Sequence, residues 1–271
     1  MESGNGRVSF ARKIAQKALV LAEPYVYAER TDEAGEVNQP RGLHALGVRI
    51  NQAIVEAGKT PPWTFTADEC RDFWASRAIG GPDNDPLNKY AHKDPAINDF
   101  LHEFWQPDVT TDDTILELGP NAGGNLSRLR ELGYRHLSGV DINQVALDTL
   151  RHEHPELAAE TELIYGPFEQ VLPTIEAGSY DTVFTMAVAI HIHPASHMVF
   201  REMARIARKH VCVLETEVAN ARYTFARNYK RVFERLGCTQ IRAEHIDRHS
   251  RPEVERLYDG YVARLFRVPA G

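Results

Sequence analysis

The chain has 271 residues, 43% of them apolar, enough for one large α/β domain or one domain with a sizeable extension. Its net charge of −7 argues against a broad basic surface, so nucleic acid is not expected as the substrate. Cys70, Cys212 and Cys238 are odd in number and far apart, which predicts reduced thiols and a cytoplasmic setting; no apolar run suits a signal core or a membrane span.

The amino-terminal third reads as helical. Phe10, Ile14, Ala18 and Leu21 recur at helical spacing, and Leu43, Leu46, Ile50 and Ile54 do so again before Gly58 and Pro61-Pro62 end the segment. Thr66 followed by Glu69 has the spacing of a capping box and opens a helix through Phe73 and Trp74. Ala78 to Pro95 is rich in turn formers and is expected to be a loop. Asp94 then caps a helix with Pro95 at its first position and Ile97, Phe100, Leu101 and Phe104 as its buried stripe.

From Thr114 onward strand and helix patterns alternate, which predicts a mostly parallel sheet covered on both faces. Strands are expected at Thr114 to Leu118, Leu137 to Asp141, Glu162 to Tyr165, Tyr180 to Thr185 and Val211 to Glu215. Val199, Met203 and Ile206 mark a helix after the fourth strand. A helix near Phe225 to Leu236 ends at Gly237, and two strands close the chain, Cys238 to Ile246 and Tyr261 to Val268.

The most informative stretch is ILELGPNAGGNLSRL, Ile115 to Leu129. A strand runs into Glu117, then into a turn with Gly119, Gly123 and Gly124, then into a helix; a second strand ends in Asp141. Glycine lets the backbone turn sharply with a ligand close by, and Asn121 is of a type that tolerates a left-handed conformation. Asp141 can accept both hydroxyls of an adenosine ribose. Glu117, at the mouth of the turn, would repel a pyrophosphate but attract an ammonium and a sulfonium, the two charges of S-adenosylmethionine. The loop also departs from the GxGxxG of dinucleotide sites.

This segment resembles the first motif of class I S-adenosylmethionine-dependent methyltransferases, an acid followed by alternating glycines. Glu117, Gly119 and Gly123 match it, and Asn121 replaces the middle glycine. The order of parts from about residue 90 to 268 resembles the same superfamily. The resemblance implies a Rossmann-like seven-stranded doubly wound sheet with an antiparallel last strand. It also implies S-adenosylmethionine as cofactor and methyl transfer to an oxygen or nitrogen of a small-molecule acceptor. By the same resemblance Ile142, Pro167 and Phe168 would border ribose and adenine, Met186 would lie beside the sulfonium, and Tyr90 would belong to a lid over the donor. Trp74, Arg77, His92 and Lys93 are further lid candidates. Glu169 is an acid near the adenine side.

His191, His193 and His197 cluster without an acid at matching spacing, so no metal is expected; His191 is the candidate general base and His193 a candidate acceptor contact. Glu215 and Glu217 end the fifth strand, and Glu215 is a candidate acceptor residue. Arg222, Arg227, Lys230, Arg231 and Arg235 form a local basic strip whose plainest reading is the solvated face of a helix. The expected division is residues 1–93 as a helical lid and acceptor-pocket extension and residues 94–271 as the cofactor-binding domain. A nicotinamide-dependent oxidoreductase, or a non-catalytic binding module on the same fold, are the alternatives.

Overall fold

The computed structural model describes residues 42–76, 87–218, 221–247, 249–254 and 258–269. The helix expected around Phe10 to Leu21, and Arg77, lie outside the described residues.

The central sheet has seven strands: β1 (Thr114–Leu118), β2 (His136–Asp141), β3 (Glu162–Tyr165), β4 (Tyr180–Met186), β5 (Ala207–Thr216), β6 (Thr239–His245) and β7 (Tyr261–Arg267). Their order is β3-β2-β1-β4-β5-β7-β6. The strands from β1 to β5 pair in parallel, whereas β7 runs antiparallel to both β5 and β6. Between β1 and β4 the order reverses, and the crevice at the carboxyl ends of these strands is where ligands bind in open α/β sheets.

Alternation along the strands divides the core into two layers. Ile115, Phe184 and Leu214 face one layer with α4 (Ala96–Trp105), α5 (Gly124–Glu131) and α6 (Gln144–Glu153), the last two lying after β1 and β2. Leu116, Leu118, Val183 and Val213 face the other, with α9 (Met198–Ile206) and α10 (Tyr229–Glu234). Trp105 is fully buried and meets the Phe184 ring edge-on at 5.6 Å. Its truncation to alanine would cost about 3–5 kcal/mol, the usual range for a large core aromatic. The period-two rule also fixes a functional position: Glu117 shares the Ile115 face, under the first turn of α5.

The amino-terminal elements behave locally as expected, with two corrections. In α2 (Ala67–Ser76) the capping box forms, the Thr66 N–H donating to Glu69 Oε2 at 2.7 Å and the Glu69 N–H to Thr66 Oγ1 at 3.2 Å. Asp94 Oδ1 accepts the Ala96 N–H at 2.9 Å at the start of α4. In α1 (Gly42–Glu56), however, Leu46 and Ile50 are exposed at 53% and 47%, and Val48, Asn51 and Val55 are buried instead. The helix is turned by its long-range partners: Val55 packs with Cys70 and Phe225, and Asn51 Oδ1 accepts from Trp63 Nε1 at 3.3 Å. The second correction is α3 (Leu87–Ala91), a short helix inside the expected loop. Two further helices, α7 (Pro155–Glu160) and α8 (Phe168–Val171), flank β3.

The helix expected from Phe225 begins only at Tyr229. Asn228 caps it, its side chain accepting from the Arg231 N–H at 2.9 Å, while Phe225 and Arg227 turn into the interior. Glu56 ties α1 to this region, accepting the Asn228 N–H and the Arg231 guanidinium, both at 3.0 Å. Among the described residues no helix is long and apolar enough to cross a membrane, and the three cysteines are free and buried.

Candidate active site

A cavity of about 250 Å³ opens at the carboxyl ends of β1, β2 and β4. Its floor is the glycine turn. Gly119 has φ +79°, and a Cβ there would stand 2.6 Å from Val188 Cγ2 in the loop after β4. Asn121 is left-handed, with φ 52°, as its residue type allows. At Gly124 the Tyr90 carbonyl oxygen occupies the place a Cβ would take, so α3 is seated directly on the turn. His154 Nε2 and the Ala91 carbonyl oxygen, 2.9 Å apart, and His92 and Glu153, 3.0 Å apart, fasten the same segment to α6.

Asp141 ends β2 with its carboxylate aimed back at the turn. Oδ2 accepts the Asn121 N–H at 2.9 Å and Oδ1 the Asn143 N–H at 2.8 Å. The Ile142 N–H donates to it as well, and a carboxylate has about four acceptor sites, so a further hydroxyl can still be received. Burial raises the Asp141 pKa, opposed by these backbone bonds. Ile142, Pro167, Phe168, Tyr90 and Met186 also line the cavity. Glu169 is also there, bonded to the Ser196 hydroxyl.

Glu117 sits differently from the sequence expectation. It is fully buried and does not line the cavity; it lies one layer behind the turn rather than at its mouth, because strand alternation points it beneath α5. Asn125 Nδ2 donates to its Oε1 at 2.6 Å, and Lys93 Nζ donates to Asn125 Oδ1 at 3.4 Å. Glu117 Oε2 is buried without a hydrogen-bond partner. Burial pushes the Glu117 pKa up to about 7, against the Asn125 bond and the charge of Lys93. Lys93 and Asn125, which do line the cavity, therefore stand between this carboxyl and a ligand. Asn125 was missed in the sequence, although a polar amide in the first turn of the helix after the glycines was a usable signal.

The opposite wall combines the loop after β4 with α2. His191 and His193 both line the cavity. The His191 ring packs against Trp74 at 4.4 Å between centroids, and its Nδ1 lies 3.1 Å from the Tyr223 carbonyl oxygen. A carbonyl only accepts, so Nδ1 donates the proton in that bond. His193 is engaged at both nitrogens: Nδ1 accepts the Ala195 N–H at 3.1 Å, and Nε2 meets Thr60 Oγ1 at 3.1 Å. Burial and the nearby Arg227 lower its pKa. It pins the Thr60 segment to the loop through these bonds. His197 packs on Phe200 at 5.6 Å. Among the described residues no group of three or more His, Cys, Asp or Glu is placed to hold a metal ion.

Glu215 is likewise turned inward rather than toward the crevice. It is fully buried and accepts the backbone N–H groups of Val188 at 2.9 Å, Ala189 at 2.8 Å and Ile190 at 3.3 Å. Burial pushes its pKa up to about 7 against these bonds. The expected acceptor contact is thereby corrected: its carboxylate is used up in holding the loop. Glu217 pairs with Arg264 through two bonds of 3.0 and 3.1 Å. The expected basic strip also disperses. Arg227 is fully buried, donating to the Phe225 and Ile192 carbonyls, Arg231 pairs with Glu56, and Lys230 with Glu234. Arg71, Cys70, Tyr258 and Tyr261 line the cavity without having been singled out; the last two arrive from the carboxyl-terminal end of the chain, which no local pattern connects to the glycine turn.

Comparison with known proteins agrees with this geometry. Residues 115–210 match a family described as a methyltransferase domain. No curated protein matches the sequence. Among solved structures, an S-adenosylmethionine dependent methyltransferase from Mesorhizobium loti is 14% identical over 64% of this chain and 97% of its own, with a TM-score of 0.50. A geranyl diphosphate C-methyltransferase from Streptomyces coelicolor A3(2) is 14% identical over 72% and 87%, at 0.51. The cyclase SpnF is 14% identical over 65% and 80%, at 0.52. At such identities the likeness concerns the fold alone, and the cyclase illustrates that a fold does not set its reaction. The family match over the glycine turn and β4, on a sheet of order 3-2-1-4-5-7-6, sets the nicotinamide-dependent alternative aside. The chain carries a class I S-adenosylmethionine-dependent methyltransferase domain and is an enzyme of that class, with S-adenosylmethionine as methyl donor.

Proposed function

We propose that the enzyme transfers the methyl group to an oxygen or nitrogen of a small-molecule acceptor, and that His191 Nε2 takes up the proton the acceptor loses. The sulfonium supplies an activated methyl group whose departure leaves a neutral thioether, so the protein's work is alignment and exclusion of water. Gly119, Asn121 and Gly123 shape the turn around the methionine end. Glu117 draws the ammonium from beneath Asn125, and Lys93 faces the carboxylate. Asp141 and Ile142 hold the ribose, Pro167 and Phe168 the adenine, and Met186 and Tyr90 flank the sulfur. In this reading the boundary near residue 93 separates a lid and acceptor region, which includes α2 and α3, from the cofactor-binding domain.

The observation that carries the base assignment is the place of the His191 ring in the cavity wall, its Nδ1 turned to the Tyr223 carbonyl. General-base catalysis of this kind is worth about 10²–10⁴ in rate. His191→Gln is therefore expected to lower kcat at least 100-fold while the affinity for S-adenosylhomocysteine stays within threefold of wild type. Unchanged kcat in that variant, or methylation at carbon in the product NMR spectrum, would overturn the assignment.

A further inference from the structure

One helix face of α2 carries four of the cavity's lining residues, and they come at helical spacing: Ala67, Cys70, Arg71 and Trp74. The Trp74 ring meets His191, the proposed base, so the face borders the end of the cavity where an acceptor must lie. Tyr258 and Tyr261, ring centroids 5.4 Å apart, line the same cavity. At the base end the Trp74 and His191 rings form an aromatic wall.

The distribution of charge around the cavity is uneven. Among the described lining residues the lysines and arginines are Lys93 and Arg71, and the carboxylates are Asp141 and Glu169. Lys93 is held by Asn125 beside Glu117, at the methionine end, and Asp141 belongs to the ribose. Glu169 is bonded to Ser196 next to Phe168. Arg71 is the positive group that remains on the acceptor wall. Its present partner is Asp68 Oδ1 at 3.1 Å, in a pair whose side chains are 47% and 85% exposed. Exposed pairs of this sort are worth about 0–1 kcal/mol, so the guanidinium can turn to a ligand at little cost. Its planar fork matches a carboxylate, to which it can donate two parallel hydrogen bonds.

Resting on the methyltransferase reading above, we propose that α2 selects a flat acceptor bearing a single carboxylate, which Arg71 holds while Trp74 stacks on the body and the nucleophilic atom faces His191. One guanidinium balances one negative charge; a diphosphate would bring two or more and, among the described residues, find no second lysine or arginine on this wall.

The test is a calorimetric titration of the full chain, saturated with S-adenosylhomocysteine, against hydroxy- and aminobenzoic acids, their amides, and a prenyl diphosphate. At least one acid is expected to bind tenfold or more tighter than its amide. Arg71→Gln should erase that preference and Arg71→Lys keep part of it, with the affinity for S-adenosylhomocysteine unchanged in both. The proposal is overturned if no acid binds, if amides bind as well as acids, if the diphosphate binds more tightly than every acid, or if the preference survives in Arg71→Gln. Failure of the wild-type chain to take up S-adenosylhomocysteine would instead sink the methyltransferase reading, and this inference with it.

Discussion

The Glu215 carboxylate accepts the backbone N–H of Ala189 at 2.8 Å, and with it holds the first turn of the loop that follows β4. The loop carries His191 and presses Val188 onto Gly119, so a side chain on β5 positions both the donor turn and the proposed base. In Glu215→Gln an amide NH2 would oppose a backbone N–H, at a cost of about 1–3 kcal/mol. For a domain of this size that lowers Tm by roughly 2–4 °C per kcal/mol. Differential scanning calorimetry at pH 5 is expected to show the loss.

Glu117 and Glu215 also set a pH dependence. Each is pushed up from 4.5 to about 7 in the folded chain, so each favours folding while protonated. Their contribution is fully present below about pH 4.5 and is lost as the pH rises through about 7, by about 3 kcal/mol for each group. Tm is therefore expected to decline between pH 5 and pH 7.5, and less steeply in Glu215→Gln. A Tm that rises over this interval in the wild type would contradict the assignment.

At the opposite ends of the strands, Asp181 gives a contrasting case. Burial opposes its ionisation, yet the Thr114 N–H, Arg208 and Lys209 hold its pKa well below the ordinary 3.8. The stability it supplies is present above about pH 4 and disappears as the pH falls further. Asp181→Asn is expected to cost about 1–3 kcal/mol in urea unfolding at pH 7, while S-adenosylhomocysteine affinity stays within twofold. A large loss of affinity would mean that the two ends of the sheet are coupled.

Gly124→Ala should do the reverse. The added methyl group collides with the Tyr90 carbonyl oxygen and displaces α3, with Tyr90 and Lys93 close behind it. S-adenosylhomocysteine affinity is expected to drop at least tenfold, with Tm shifted by only a few degrees. Retained affinity by calorimetry would show that α3 does not contribute to the donor site.

Much of this architecture is legible in the residues themselves. The bounds of β1 and β3 follow from alternation and flanking turn formers, and the capping box at Thr66 and Glu69 forms as its spacing implies. The left-handed Asn121 and the inward-facing Asp141 were likewise readable. What was not readable depends on distant partners. The buried face of α1 is chosen by Cys70 and Phe225, not by the spacing of Leu46 and Ile50. Glu215 could be placed at a strand end, but its direction depends on a loop 25 or more residues upstream in the chain. Arg71 carries no local mark at all; only the seating of α2 on the loop after β4 brings it to the cavity.

The proposed donor site depends most on the buried carboxyl under the glycine turn. Because an arriving ammonium favours the ionised form of Glu117, donor affinity should rise with pH through about 7. Isothermal titration of S-adenosylhomocysteine at pH 6 and pH 8, into wild type and Glu117→Gln, reads this directly. The expected result is a gain of about three- to tenfold in the wild type and weaker, pH-independent binding in the variant. Equal affinity of the two proteins at pH 8 would contradict it.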